Sequence, residues 1–149
     1  MRALIQRVTH AAVSSEGKPC GQIGKGFAIL LGVAKGDGPQ EAEYCAHKTA
    51  NMRIFPDEAG KLNLSLKDVG GEALVVSQFT LYADTSRGNR PGFTQAAEPA
   101  IADQLYELYV QYLREEGIPV QTGVFRTDML VEIANDGPTT IILESKEKI

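Results

Sequence analysis

At 149 residues, 43% hydrophobic and 23% charged, the chain is long enough for one domain with a full core and too apolar for disorder. Its net charge of -4 excludes the broad basic face on which nonspecific nucleic-acid binding rests, and leaves room only for a small local contact with an RNA end. Met1 to Val8 carries no long apolar leader and the longest apolar run, Phe27 to Leu31, is far too short to cross a bilayer, so a soluble cytoplasmic protein is expected.

In chain order, Ala3 to Ser14 alternates apolar and polar positions in the manner of a long strand or two. The turn signal Ser15 to Lys18 leads into a short returning strand at Pro19 to Ile23. Gly24 and Gly26 bracket Lys25, but they precede a strand, Phe27 to Ala34, instead of joining a strand to a helix, so a nucleotide-binding loop is set aside. Asp37-Gly38-Pro39 opens a helix running to about Met52, with Ala42, Cys45, Ala46 and Thr49 on its inner face and His47 off it. Pro56 to Gly60 reads as a loop, and Lys61 to Leu66 as an edge strand. Cys20 and Cys45 have no C-x-x-C pair and no histidine at ligand spacing, which predicts buried free thiols, no metal and no cofactor.

Glu72 to Leu81 organises the chain. Ala73, Leu74, Val75 and Val76 form an unbroken apolar run suited to a strand covered on both faces, and Ser77, Gln78 and Thr80 place polar groups at its outgoing end. Tyr82 to Gln95 is irregular and holds Arg87 and Arg90; it reads as a surface loop, or as an arm over a site with two cations for phosphate. Pro99 opens a second helix whose stripe is Ile101, Leu105, Leu108, Tyr109, Tyr112 and Leu113, stopped by Gly117 and Pro119. Two strands close the chain, Val120 to Thr122 and Leu130 to Leu143, the latter interrupted at Asp136-Gly137-Pro138, before a polar tail at Glu144 to Lys148. The order is β-β-β-α-β-β-α-β-β with antiparallel-looking links and no repeated βαβ unit, an α+β domain over residues 1–149. A hydroxyl nucleophile needs a base held by a third group, and neither His10 nor His47 is tied by spacing to Ser77 or Thr80.

The opening MRALIQRVTHAAV, the segment Ser77-Gln78-Phe79-Thr80-Leu81, the loop GNRPGF and Asn135 to Thr140 together resemble the D-aminoacyl-tRNA deacylase family, in order and over nearly the whole chain. The resemblance implies antiparallel sheets packed with two main helices, in a barrel-like arrangement completed in a homodimer. It implies hydrolysis of the ester between a D-amino acid and the 3′ end of tRNA, with glycyl-tRNA also admitted. By the same resemblance Phe79 and Thr80 would be catalytic, through backbone amides that stabilise an oxyanion, and Ser77, Gln78 and Leu81 would bind substrate. Gly137 and Pro138, joined by a cis bond, would reach into the partner's pocket and exclude L-amino acids. Phe125 and Met129 would face the terminal adenine, and Arg7 would steady the Gly-Pro loop, its alternative being a surface ion pair. Where the family usually has valine this chain has Thr139. Two other classes compete: a nucleic-acid-binding module without activity, against which the acidic balance counts, and a serine or threonine esterase.

Overall fold

The computed structural model describes residues 1–145, so the expected polar tail lies outside the described residues beyond Ser145. Alternating burial along β1 (Arg2–Ser15) makes one long strand the spine of the sheet. Strand β8 (Met129–Glu144) pairs antiparallel with β1 from Arg2 to Ser15. The other edge of β1 is divided between β3 (Gly26–Gly32), opposite residues 2–8, and β2 (Lys18–Ile23), opposite residues 11–15. Glu16 and Gly17, with φ of 50° and 79°, form the two-residue turn between β1 and β2, of the hairpin type whose twist matches the strands.

The sheet is mixed, which corrects the expected antiparallel arrangement. Strand β6 (Glu72–Ser77) runs parallel to β3, and β7 (Val120–Thr122) runs parallel to β6. Helices α1 (Pro39–Asn51) and α2 (Pro99–Glu115) lie in the two crossovers, and a helix-length connection returns the chain to the end where it started. The pattern missed this because the helices are separated from their strands by irregular segments. Strands β2 and β7, at the two ends of the path β2-β1-β3-β6-β7, meet closely: a Cβ on Gly21 would lie 3.1 Å from the Thr122 carbonyl oxygen. Glycine at that position lets the sheet curl into a nearly closed barrel.

Curling produces two cores. Ala3, Ile5, Phe27, Ile29, Leu31, Ala73 and Val75 face the helices, where they meet Ala42, Cys45, Ala46, Leu105, Tyr109 and Leu113. Val8, Ala11, Val13, Ile23, Ala28, Leu74 and Val76 fill the barrel interior. A register shift in the β1–β8 pairing between Val8 and His10 moves odd-numbered residues 11 and 13 onto the face that Val8 occupies, the usual effect of one extra residue in a ladder. Each of these large aliphatic side chains contributes about 1.5–3 kcal/mol on burial.

The inner face of α1 is as its pattern requires, with Ala42, Cys45, Ala46 and Thr49 buried and His47 exposed. Its first turn is closed by the Gly38 amide donating to the Glu41 carboxylate at 2.9 Å. In α2 the buried set is Ala102, Leu105, Tyr106, Tyr109, Val110 and Leu113, while Ile101 is half exposed because that face is centred on Ala102, Tyr109 and Leu113 and leaves Ile101 at its margin. Three further expectations need correction. Pro56 belongs to β4 (Phe55–Pro56), which pairs with β5 (Leu62–Leu64) in a separate ribbon, so the edge strand is shorter than 61–66. Cys20 is exposed on the outer strand β2, and only Cys45 is buried, its thiol pushed up to about 11 by desolvation. The central strand ends at Ser77, after which Phe79–Tyr82 form a 3₁₀ turn.

Candidate active site

A cleft of about 750 Å³ opens at the carboxyl ends of the parallel strands β3 and β6, the end of a parallel sheet where ligands usually sit. Val76, Ser77, Gln78 and Phe79 form one wall as β6 gives way to the 3₁₀ turn. Phe93, the first turn of α2, and the segment from Phe125 to Met129 form the others. Of the residues expected at a site, Ser77, Gln78, Phe79, Phe125 and Met129 are therefore brought together. Thr80 and Leu81 lie just behind that lining, Thr80 exposed and Leu81 half buried.

The turn is held by its carbonyls and leaves amides free. The Gln78 amide donates to the Leu31 carbonyl at 2.8 Å, tying the turn to β3, and the Leu81 amide donates back to the Gln78 carbonyl at 3.3 Å. The amides of Phe79 and Thr80, the first two of the turn, donate to no protein group among the described residues, as the opening amides of any helix do unless capped. Among the described residues no histidine lines the cleft, and neither the Ser77 nor the Thr80 hydroxyl is hydrogen-bonded to a basic side chain that could activate it.

Two supports of this turn escaped the sequence reading. Arg2 donates from Nη1 to the Leu81 carbonyl at 2.6 Å, stacks 4.7 Å from the Tyr82 ring centroid, and is itself held by Glu144 at 2.7 Å. Gly32 lies beneath the turn, where a Cβ would stand 3.1 Å from both the Gln78 oxygen and the Leu81 Cβ. Phe93 meets Phe79 edge to face with ring centroids 4.9 Å apart. The Asp84–Gly92 bridge closes the preceding loop into a compact hairpin, leaving Arg87 and Arg90 exposed at its tip. Nothing in the sequence pointed to Arg2 or Gly32, because both act across 46 or more residues of chain.

Asp136 to Thr139 bulge out of β8, between the pairs Val8↔Asn135 and Gln6↔Thr140. The Gly137–Pro138 peptide is cis, and both residues are exposed. Asn135 braces the bulge from within: its Oδ1 accepts the Thr139 amide at 3.2 Å and its Nδ2 donates to Thr140 Oγ1 at 3.0 Å. Arg7 lies beneath it and is buried. Its Nη1 donates to the Ile54 carbonyl at 2.7 Å, and its Nε is 3.6 Å from the Asp136 carboxylate. A Cβ at Gly137 would come within 2.8 Å of Arg7 Nη2 and 2.6 Å of Thr139 Oγ1. Neither Gly137 nor Pro138 lines the cleft of the same chain.

No helix among the described residues is long and apolar enough to cross a membrane. Compared with known proteins, residues 4–144 match a family model described as D-Tyr-tRNA(Tyr) deacylase. A protein of Dehalococcoides mccartyi named D-aminoacyl-tRNA deacylase is 54% identical over 149 residues, covering 100% of this chain and 97% of the relative. One of the same name from Anaeromyxobacter dehalogenans is 55% identical over 146 residues, 98% of each chain. Among solved structures, one described as c-Myc DNA Unwinding Element Binding Protein superposes with a TM-score of 0.91 at 39% identity, covering 99% of this chain and 100% of the other. A probable eukaryotic D-amino acid tRNA deacylase superposes with a TM-score of 0.82 at 14% identity, over 96% and 98% of the two chains, a likeness of fold.

Proposed function

Because the chain belongs to the D-Tyr-tRNA(Tyr) deacylase family, we propose that it hydrolyses the ester between a D-amino acid and the 3′ end of tRNA, releasing both. The observation that carries the chemistry is the pair of unengaged amides at Phe79 and Thr80 beside a cleft without a histidine. An aminoacyl ester is intrinsically reactive, and the neighbouring 2′-hydroxyl of the terminal ribose can assist water attack. What remains for the protein is to orient the ester and to meet the negative charge that forms on the carbonyl oxygen. Two preorganised backbone donors supply that charge stabilisation, each typically worth about 10²–10³ in kcat. Ser77, Gln78 and Leu81 shape the pocket for the aminoacyl group. Phe125 and Met129, an aromatic and a thioether at the cleft wall, take the face of the adenine.

Chirality is read by rejection. The Gly137–Pro138 corner, braced by Asn135 and seated on Arg7, stands away from its own cleft, so it is assigned to the cleft of a second copy in a homodimer. The outer edge of β8 supports such a partner. It is a 16-residue strand paired on one side only, with Leu130 and Ile142 exposed on it. A main-chain corner cannot yield as a rotamer would, so an L side chain collides where a D side chain points away. Glycine has no side chain to collide, and glycyl-tRNA is admitted.

The deciding experiment compares release of tyrosine from D-tyrosyl-tRNA and L-tyrosyl-tRNA by the purified protein. Rapid release of the D form alone is expected, and equal rates would overturn the reading. The likeness to the DNA unwinding element binding protein favours a second reading, a nucleic-acid adaptor without activity. Saturable, chirality-selective turnover excludes it. An acyl group trapped on Thr80 or Ser77 would instead indicate a conventional esterase.

A further inference from the structure

Among the described residues, two other than glycine have positive φ, Glu16 at 50° and Arg126 at 61°. For Glu16 the cause is local: it shares the β1–β2 hairpin turn with Gly17, and its amide and carboxylate both bond to Asp128. Arg126 is different. It occupies the third position of the turn Val124–Thr127, closed by the Thr127 amide and hydroxyl donating to the Val124 carbonyl at 3.3 and 2.8 Å. A positive φ at that position belongs to a turn type that ordinarily takes glycine or asparagine there. The chain holds an arginine in it.

That arginine is exposed, and its guanidinium has no hydrogen-bond or ion-pair partner among the described residues. It is the one cation among the described residues that line the cleft, between Phe125 and Met129 on the same rim. The other charged lining residues, Glu98 and Asp128, are carboxylates. Without Arg126 the charges at this mouth would repel a polyanion, in a chain whose net charge is already -4. A backbone outlier kept at a functional cleft, carrying an uncommitted planar cation, has the properties of an oxyanion or phosphate clamp.

We propose that Arg126 binds the phosphodiester that precedes the terminal adenosine of the tRNA, an assignment that rests on the cleft receiving an aminoacylated 3′ end. Arg126 directly follows Phe125 in the turn and lines the same cleft, so an adenine against Phe125 would have its own 5′ phosphate within the span of a long arginine side chain. The contact is independent of base sequence, as expected for an enzyme that must accept tRNAs sharing only their 3′ end.

The test compares D-tyrosyl-tRNA with 3′-O-D-tyrosyl-adenosine, which has no phosphodiester, as substrates of the wild type, R126G and R126E. Relative to wild type, R126G is expected to lower the ratio of kcat/KM for the tRNA to that for the adenosine ester roughly tenfold, as loss of one charge-assisted contact does. R126E should lower it further. The slope of log kcat/KM for the tRNA against log salt should shrink by about 1 in R126G, the signature of one phosphate contact. Because glycine adopts positive φ freely, R126G should melt at or above the wild-type temperature, which separates loss of contact from damage to the turn. An unchanged ratio, or an unchanged salt slope, in R126G overturns the assignment. If the wild type hydrolyses the adenosine ester but its use of tRNA is untouched by either variant, only the phosphate contact fails. If it hydrolyses neither substrate, the proposed activity itself falls and takes this assignment with it.

Discussion

The 3₁₀ turn at Phe79–Tyr82 and the bulge at Asp136–Thr139 both interrupt regular pairing, yet they treat their backbone groups in opposite ways. At the turn, carbonyls are engaged by Arg2 and by neighbouring amides, while the first two amides have no partner among the described residues. At the bulge, the Asn135 side chain bonds to the Thr139 amide and the Thr140 hydroxyl, and Arg7 fills the space beneath. An open donor can meet developing charge; a closed and packed corner can only present shape. The proposed division, chemistry at the turn and selection at the bulge, rests on this contrast.

The largest effect is expected where a donor is deleted. Gln78 is extended, at φ -145° and ψ 90°, and the Phe79 amide is unpaired, so F79P suits the preceding backbone and removes the donor together with the ring. Measured against F79A, which lacks the ring but keeps the amide, F79P should lose about 10²–10³ in kcat on D-tyrosyl-tRNA. Equal activity of the two variants would remove the amide from the chemistry. Next in size is G137A, whose Cβ meets Thr139 and Arg7 at a φ of +121°. Displacing the corner should cost about 1–3 kcal/mol of stability and narrow the D-over-L preference at least tenfold, with kcat on the D substrate changed less. A preference left intact would show that the bulge is not the filter.

T80A sharpens the same comparison from the other side, since it deletes the hydroxyl and keeps the amide. Activity within about threefold of wild type is expected, because a hydroxyl without a base is a poor nucleophile. Abolished turnover with normal folding would return the chemistry to the side chain. The smallest effect should come from Glu116, remote from both features, whose carboxyl is held down to about 2 by hydrogen bonds from Lys67 and His47. A depressed carboxyl stabilises the fold above its unfolded value of 4.5, and that contribution is lost as pH falls through about 2. E116Q should therefore melt slightly below wild type at pH 7, with the gap closing toward pH 2 and the D-over-L preference unmoved. The effect is small because the group is near the surface and screened.

Much of the fold is legible in the residues. The alternation along β1, the apolar run at Ala73–Val76 and the inner face of α1 follow from local periodicity, which burial then satisfies. The direction of β6 is not legible in this way, because a buried strand reads the same whether its neighbours are parallel or antiparallel. Ile101 departs from its expected burial because periodicity identifies a stripe but not how wide the buried face is. Cys20 was misread because thiols are usually buried, while β2 is an outer strand with an open face. At the site, Ser77, Gln78 and Thr80 are marked by the change from apolar to polar residues, and Phe79, Phe125 and Met129 only by the family likeness.

By itself the sequence determined which segments could be strands and helices, and that neither His10 nor His47 is tied by spacing to Ser77 or Thr80. Those are consequences of composition and spacing, which act within a few residues. Tertiary structure alone decided that β6 stops at Ser77, that Arg2 and Gly32 support the turn beyond it, and that Arg7 lies buried under Gly137. Each depends on groups far apart in the chain meeting at 3 Å or so, a range at which hydrogen bonds and contact distances act and sequence spacing carries no information.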